Sequence, residues 1–351
     1  MELAVNACEV GFNMEIYGIG QRIREERIRQ KFSQEELCYG ICAVSTLSRL
    51  ENGVQKPGLK VQEALLERLG CSTENLVFFA NEDEVKKHFL EVDMGFHLMN
   101  YEFDLQEELE EYEKLIQERG VESNLEQQYY LMVKALYELR VKGSPHTQAY
   151  AMLKRSLLLT MPDFKVKDLY AIRLMTLTEI SILNNMAVML YEMESIGLSI
   201  KYMYFLVDYL ERSNLSKDIL AKRYPMLLVN LAKLEVKIGD YRHAFSWCQK
   251  GIAFCRECGR MVPLAQFYYY KAVAYAKFGG MRKASECYEY AICLCKAGGK
   301  NELAALVEQE YQNVITYNNK GKAIQRDQQA DKGLHQPDPE EEQRTKSDQL
   351  V

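Results

Sequence analysis

The sequence predicts an all-α protein in two parts, a head of short helices and a longer array of paired helices. Three observations carry this. Only 7 prolines and 20 glycines are spread over 351 residues, so little interrupts a helix. From about Glu84 to Tyr317 the apolar residues recur at helical spacing, with short polar joints between the runs. Within that stretch a motif repeats at a fixed offset. Hydrophobic residues at 48% and charged residues at 27% fit a folded chain and exclude wholesale disorder. No run approaches about 20 apolar residues, so no membrane span is predicted. No basic-then-apolar leader opens the chain, so its 10 cysteines are expected to be reduced in a cytosol.

Residues 1–15 show no periodicity and are expected to form a disordered extension; Met14 offers an alternative start. Residues 16–77 form the head. In its first helix, Ile19, Ile23 and Ile28 are expected on one side. Ser33 then caps a second helix, with Glu36 three residues on completing a capping box. That helix buries Leu37 and Ile41 and is expected to end near Cys42-Ala43. In the third, Leu47 and Leu50 face inward while Ser45, Thr46, Ser48 and Arg49 fall on the other side. Gly53 suits the stop. A fourth helix with Val61, Ala64, Leu65 and Leu69 closes the core.

Two short helices joined by a tight turn, the second with a hydroxyl-and-arginine face, have helix-turn-helix geometry. Residues 16–70 carry nine Lys/Arg against seven Asp/Glu, so the chain's net charge of −6 arises outside the head. That asymmetry suits a nucleic-acid contact confined to the head. Residues 78–91 are assigned as a linker, 92–317 as the array and 318–351 as a disordered polar tail.

In the array, Gly239-Asp240-Tyr241-Arg242-His243-Ala244 is matched by Gly279-Gly280-Met281-Arg282-Lys283-Ala284. The same offset pairs Gly251 with Ala291 and Cys255 with Cys295. Fainter copies run over 186–210, with Gly197 near the turn, over 125–159, with Gly143-Ser144-Pro145 as the turn, and over 92–116. This resembles the tetratricopeptide repeat in about five degenerate helix pairs, which implies a right-handed superhelix; a plain helical bundle is the alternative.

The run SQEEL, STLSRLENG, a basic Pro-containing loop and EALLERLG resembles the lambda-repressor/Cro (Xre) type of DNA-binding domain. The resemblance implies that Gln34 holds a DNA phosphate. It places Val44, Ser45 and Arg49 at base edges with Thr46 and Ser48 beside them, and Asn52 and Lys56 on the backbone. It also implies a buried ion pair between Arg27 and Glu51. Arginine suits guanine O6 and N7, whereas Val44 can touch only a thymine methyl.

Such a head followed by a helical array resembles the Rgg/PlcR-type peptide-pheromone regulators. The resemblance implies a homodimer on double-stranded DNA, at a palindromic operator, with a short peptide as ligand. Asn230, Lys233 and Lys237 lie at i, i+3, i+7 and make a polar stripe, with Asn185 and Tyr270 on the equivalent faces of neighbouring units. These five are the peptide-binding candidates; an ordinary exposed stripe is the other reading. A repeat scaffold for another protein and an Xre-type regulator without a ligand stay open as functions.

No cofactor, metal site or enzyme chemistry is predicted. Cys255-x-x-Cys258, with Cys287, Cys293 and Cys295, invites a zinc reading, but the last three fall in a helical pattern and Cys295 repeats Cys255, so all five are expected to be buried, reduced thiols. The five histidines are scattered and form no HExxH motif.

Overall fold

The computed structural model describes residues 18–71, 82–99, 104–117, 123–213, 215–261 and 263–334. They hold fifteen α-helices, one 3-10 helix and no strand. The chain divides into two compact units at Leu231/Ala232.

The first unit opens with the head: α1 (Ile19–Arg29), α2 (Gln34–Cys38), α3 (Val44–Glu51) and α4 (Leu59–Arg68). Its core is Ile23, Leu37, Cys38, Leu47, Leu50, Leu65, Leu66 and Leu69, all nearly closed to solvent. Fully burying one such aliphatic side chain contributes about 1.5–3 kcal/mol. Ser33 Oγ accepts from the Glu36 N–H at 3.0 Å and Glu36 Oε2 from the Ser33 N–H at 2.8 Å, which fixes the start of α2. Two expectations about the head need correction. Ile28 is exposed rather than in line with Ile19 and Ile23, because five residues beyond Ile23 is most of half a turn away. And α2 stops at Cys38, not near Cys42, because Gly40 takes φ +70°. A Cβ at Gly40 would lie 1.8 Å from the Thr160 carbonyl oxygen, so only glycine fits both the turn and this contact.

Next come α5 (Glu82–Met99), α6 (Gln106–Gln117), α7 (Asn124–Arg140) and α8 (His146–Leu158). A 3-10 helix (Val166–Ala171), α9 (Leu177–Glu192) and α10 (Ile196–Arg212) follow. α11 (Lys217–Ile238) runs across the division. The 78–91 linker is therefore helical from Glu82, where an acidic first turn favours helix initiation. The turn between α9 and α10 is Met193-Glu194-Ser195, and Gly197 lies inside α10.

The second unit holds α12 (Tyr241–Glu257), α13 (Leu264–Lys277), α14 (Met281–Ala297) and α15 (Asn301–Leu334). Each packs on the next. Ala244 and Ala284, matched in the repeat, are both fully buried. A Cβ at Gly251 would meet the Phe267 ring at 2.1 Å, so the small residue there sets how closely α12 and α13 approach. Helix α15 continues to Leu334, through much of the segment expected as a tail. Lys, Gln, Ala and Arg are good helix formers, and the helix is anchored upstream by Ala304 and Val307. Residues 1–15 and 335–351 lie outside the described residues.

Candidate nucleic-acid interface

Helix α3 presents the head's polar face. Its buried side holds Leu47, Leu50 and Glu51. On the other side Ser45 and Arg49 are exposed, Val44 is 40% exposed, and Thr46 and Ser48 are half-buried. Among the described residues no side-chain partner holds the Arg49 guanidinium. Its donors are free for a base edge or a phosphate. Asn52 caps α3 and is exposed, as is Lys56 in the loop beyond it.

Beneath this face sits a charged clamp. Arg27 Nε and Nη2 donate to Glu51 Oε1 and Oε2 at 2.7 and 2.8 Å, and Arg27 Nη1 donates to the Phe32 carbonyl at 2.9 Å. The Glu51 side chain is only 2% exposed. Burial pushes its carboxyl upward, but the hydrogen bonds from Arg27 and Gln34 outweigh burial and hold it below the ordinary carboxylate range. Gln34 Nε2 donates to Glu51 Oε2 at 2.7 Å. The Gln34 side chain is thereby committed inside the head, and what it offers a phosphate is its backbone N–H at the start of α2. Arg24 Nη1 donates to Asn52 Oδ1 at 3.3 Å, which adds an exposed cation beside the end of α3. Sequence reasoning missed Arg24, because only the fold brings α1 to the end of α3.

The head is tied to the array within the first unit. Arg68 Nη2 meets Glu179 Oε1 at 3.0 Å, with both side chains almost wholly buried. Arg68 Nη1 donates to the carbonyls of Leu37 and Tyr39. Thr160 Oγ1 donates to the same Glu179 oxygen at 2.6 Å. The Leu177 N–H, at the start of α9, donates to Glu67 Oε2 at 3.0 Å. Burial raises the Glu67 carboxyl to about 7 despite this bond and nearby Lys60. None of these partners was singled out from sequence; Thr176 and Glu179 also form a capping box at the start of α9.

The peptide candidates are distributed over both units. In the first, Asn230 Nδ2 donates to Asn184 Oδ1 at 3.0 Å, whereas Asn185 Nδ2 turns back to the Ser181 carbonyl of its own helix at 2.9 Å. Asn184, not Asn185, is thus the residue that faces Asn230. In the second, Lys233 is half-buried, Lys237 is exposed, and the Tyr270 ring lies edge-on to Tyr269 at 4.9 Å. The cysteines of this unit are free thiols. Cys248, Cys255, Cys287 and Cys295 are buried, and burial pushes the Cys255 thiol up to about 11. Cys293 is exposed and Cys258 half-buried, contrary to expectation.

Against known proteins, residues 23–76 match a helix-turn-helix family model and residues 107–310 match the model for the RNPP family C-terminal domain. The chain belongs to the RNPP family. The head is accordingly an Xre-type DNA-binding domain, and the family is one of transcription regulators rather than enzymes. Among solved structures the chain is similar to Bacillus thuringiensis PlcR in complex with the peptide PapR7 and DNA. Identity is 16%, the match covers 82% of this chain and 98% of that one, and the TM-score is 0.52. PlcR in its apo form is similar at 16% identity, 83% and 98% coverage and a TM-score of 0.50. These likenesses show the fold, an all-helical chain with an N-terminal helix-turn-helix and a C-terminal helical repeat domain. No curated protein matches. Among the described residues no helix is long and apolar enough to cross a membrane.

Proposed function

We propose that this RNPP-family protein is a cytoplasmic, homodimeric transcription regulator that reads a palindromic operator and answers to a short peptide. The observation that carries the DNA half is the unpartnered Arg49 on an exposed helix face, backed by the Arg27–Glu51 clamp that holds α3 in place. Val44, Ser45 and Arg49 meet base edges, with Thr46 and Ser48 beside them. Asn52, Lys56 and the N-terminus of α2 at Gln34 hold phosphates, which set register without reading sequence. One head buries little surface, so specificity requires two heads on half-sites spaced by a helical turn or a multiple.

Support for the peptide half is membership of the RNPP family and the fold shared with PlcR, whose structure holds PapR7 and DNA. An extended peptide leaves backbone N–H and C=O groups to be paired, and an Asn amide can both donate and accept. Asn230, already paired with Asn184, is the central candidate, with Asn185, Lys233, Lys237 and Tyr270 as the further members. The test is selection of bound sites from a randomised DNA library, with and without candidate peptides. A recovered palindrome whose affinity changes with one peptide is the expected result. Recovery of no preferred sequence overturns the DNA reading, and a palindrome indifferent to every peptide overturns the peptide reading alone.

A further inference from the structure

In the second unit, α11 ends and α12 begins around a tight turn. Gly239 takes φ +85°, and the Asp240 N–H donates to the Glu235 carbonyl at 2.9 Å. This closes the end of α11 and brings Glu235, in its last turn, beside Asp240 and His243 at the start of α12. Asp240 caps α12. Its Oδ1 accepts the His243 N–H at 3.1 Å, and its Oδ2 lies 2.8 Å from His243 Nδ1. One oxygen from each carboxylate and one imidazole nitrogen lie within 4.8 Å of one another. Glu235 is only 2% exposed, whereas the His243 side chain is 62% exposed, so the group opens to solvent on one side.

The turn itself does not require these side chains. At the matching turn between α13 and α14, Gly279 takes φ +77° and the Gly280 N–H donates to the Tyr275 carbonyl at 2.9 Å. The backbone arrangement is the same, yet Tyr275, Gly280 and Lys283 stand in place of Glu235, Asp240 and His243. The local field favours a cation. The Asp240 carboxylate holds the His243 imidazole above its ordinary value, and Glu235 adds to the effect. The carboxyl end of α11 meets the amino end of α12, so their helix dipoles offset each other.

We propose that Glu235, Asp240 and His243 form a site for one first-row divalent metal ion, which joins the end of α11 to the start of α12. An imidazole nitrogen with two carboxylate oxygens suits Mn2+ or Zn2+, whereas Mg2+ and Ca2+ prefer oxygen alone. Bonds of about 2.0–2.2 Å place neighbouring ligand atoms roughly 3 Å apart. The Asp240–His243 spacing already fits, and the Glu235 oxygen has at most about 2 Å to close. Water fills the remaining positions on the open side. None of the three residues belongs to the DNA-reading face or to the peptide candidates.

The probe is Mn2+ alone, which thiols hold poorly, so the chain's cysteines compete little. Free Mn2+ is measured by electron paramagnetic resonance during titration of the full chain. Saturable uptake of one ion per chain, with a melting midpoint that rises with Mn2+ concentration, is the expected result. His243→Ala removes an exposed ligand and should lower the affinity by about 10-fold or more. Asp240→Asn keeps a capping oxygen for the His243 N–H, so α12 stays capped, and should weaken uptake to a similar degree. In both variants the melting midpoint should no longer respond to Mn2+. No saturable uptake by the wild-type chain overturns the site. Uptake unchanged in both variants also overturns it, and places the ion elsewhere, as on the acidic run Glu340-Glu341-Glu342. Neither result depends on whether the protein binds DNA or a peptide.

Discussion

Arg49 and Arg68 belong to the same small head and have opposite circumstances. Arg49 stands exposed on α3 with no side-chain partner among the described residues. Arg68 is buried at the end of α4 and bonded to two carbonyls and a carboxylate. An arginine kept for an outside ligand must stay solvated and uncommitted, at little cost to folding. An arginine used to join two parts of a chain must have its charge answered inside, or it destabilises what it joins. The recognition face is therefore the place to alter affinity without touching stability, and the joint is the place to alter stability.

The largest effect is expected at the joint. Glu179→Ala strands the Arg68 charge in a buried site and also removes the acceptor of Thr160. It should cost about 3–5 kcal/mol. Thermal unfolding of the full chain followed by circular dichroism checks this. A midpoint within a degree of wild type would break the contrast, since Arg68 would then behave like a surface residue. Next is Glu51→Ala in the clamp. Arg27 is 12% exposed and keeps its bond to the Phe32 carbonyl, so the loss should be smaller, about 2–3 kcal/mol. Chemical denaturation of full-length wild type and variant reads it directly.

What the sequence disclosed follows the same division. Local devices were legible: the Ser33–Glu36 capping box and the inward Leu47 and Leu50 depend on residues within a turn or two of each other. The Arg27–Glu51 pairing was reached only through resemblance to the Xre type, because 24 residues separate the partners. Arg68 and Glu179 are 111 residues apart, and nothing in either neighbourhood marks the other. The early end of α2 at Gly40 was missed for a related reason. The Thr160 oxygen that excludes any side chain there belongs to a distant segment. Apolar pattern alone made 318–334 a tail, although its helix formers continue an anchored helix. Asn184 and Asn185 are adjacent in sequence, and only packing decides which of them meets Asn230.

The recognition face gives the next effect, and it is one of binding alone. Arg49→Ala should weaken operator binding by about 1–3 kcal/mol and relax base preference at one position per half-site. Its melting midpoint should stay at the wild-type value. Lys56→Ala should weaken all sequences alike and reduce the slope of log K against log salt by about 1 per head. Competition binding at several salt concentrations separates the two. An Arg49→Ala protein that loses affinity equally on every sequence would make Arg49 a phosphate contact instead of a base reader.

The smallest expected effect sharpens the account of the joint itself. Glu67 accepts the Leu177 N–H, and burial raises its carboxyl from the ordinary 4.5 to about 7. A carboxyl whose folded value lies above its unfolded one favours folding in its neutral form. Its contribution is present in full below about pH 4.5, declines as pH rises, and is lost above about pH 7. The carboxyl-specific change between pH 5.5 and 8 should be on the order of 1 kcal/mol. Glu67→Gln keeps an acceptor for the Leu177 N–H but cannot ionise. The variant should match wild type below about pH 4, exceed it at pH 8, and show a flatter stability profile between. Identical profiles for the two proteins would mean that Glu67 is ionised in the folded joint throughout this range. Lys60 and Arg223 would then answer its charge as fully as Glu179 answers that of Arg68.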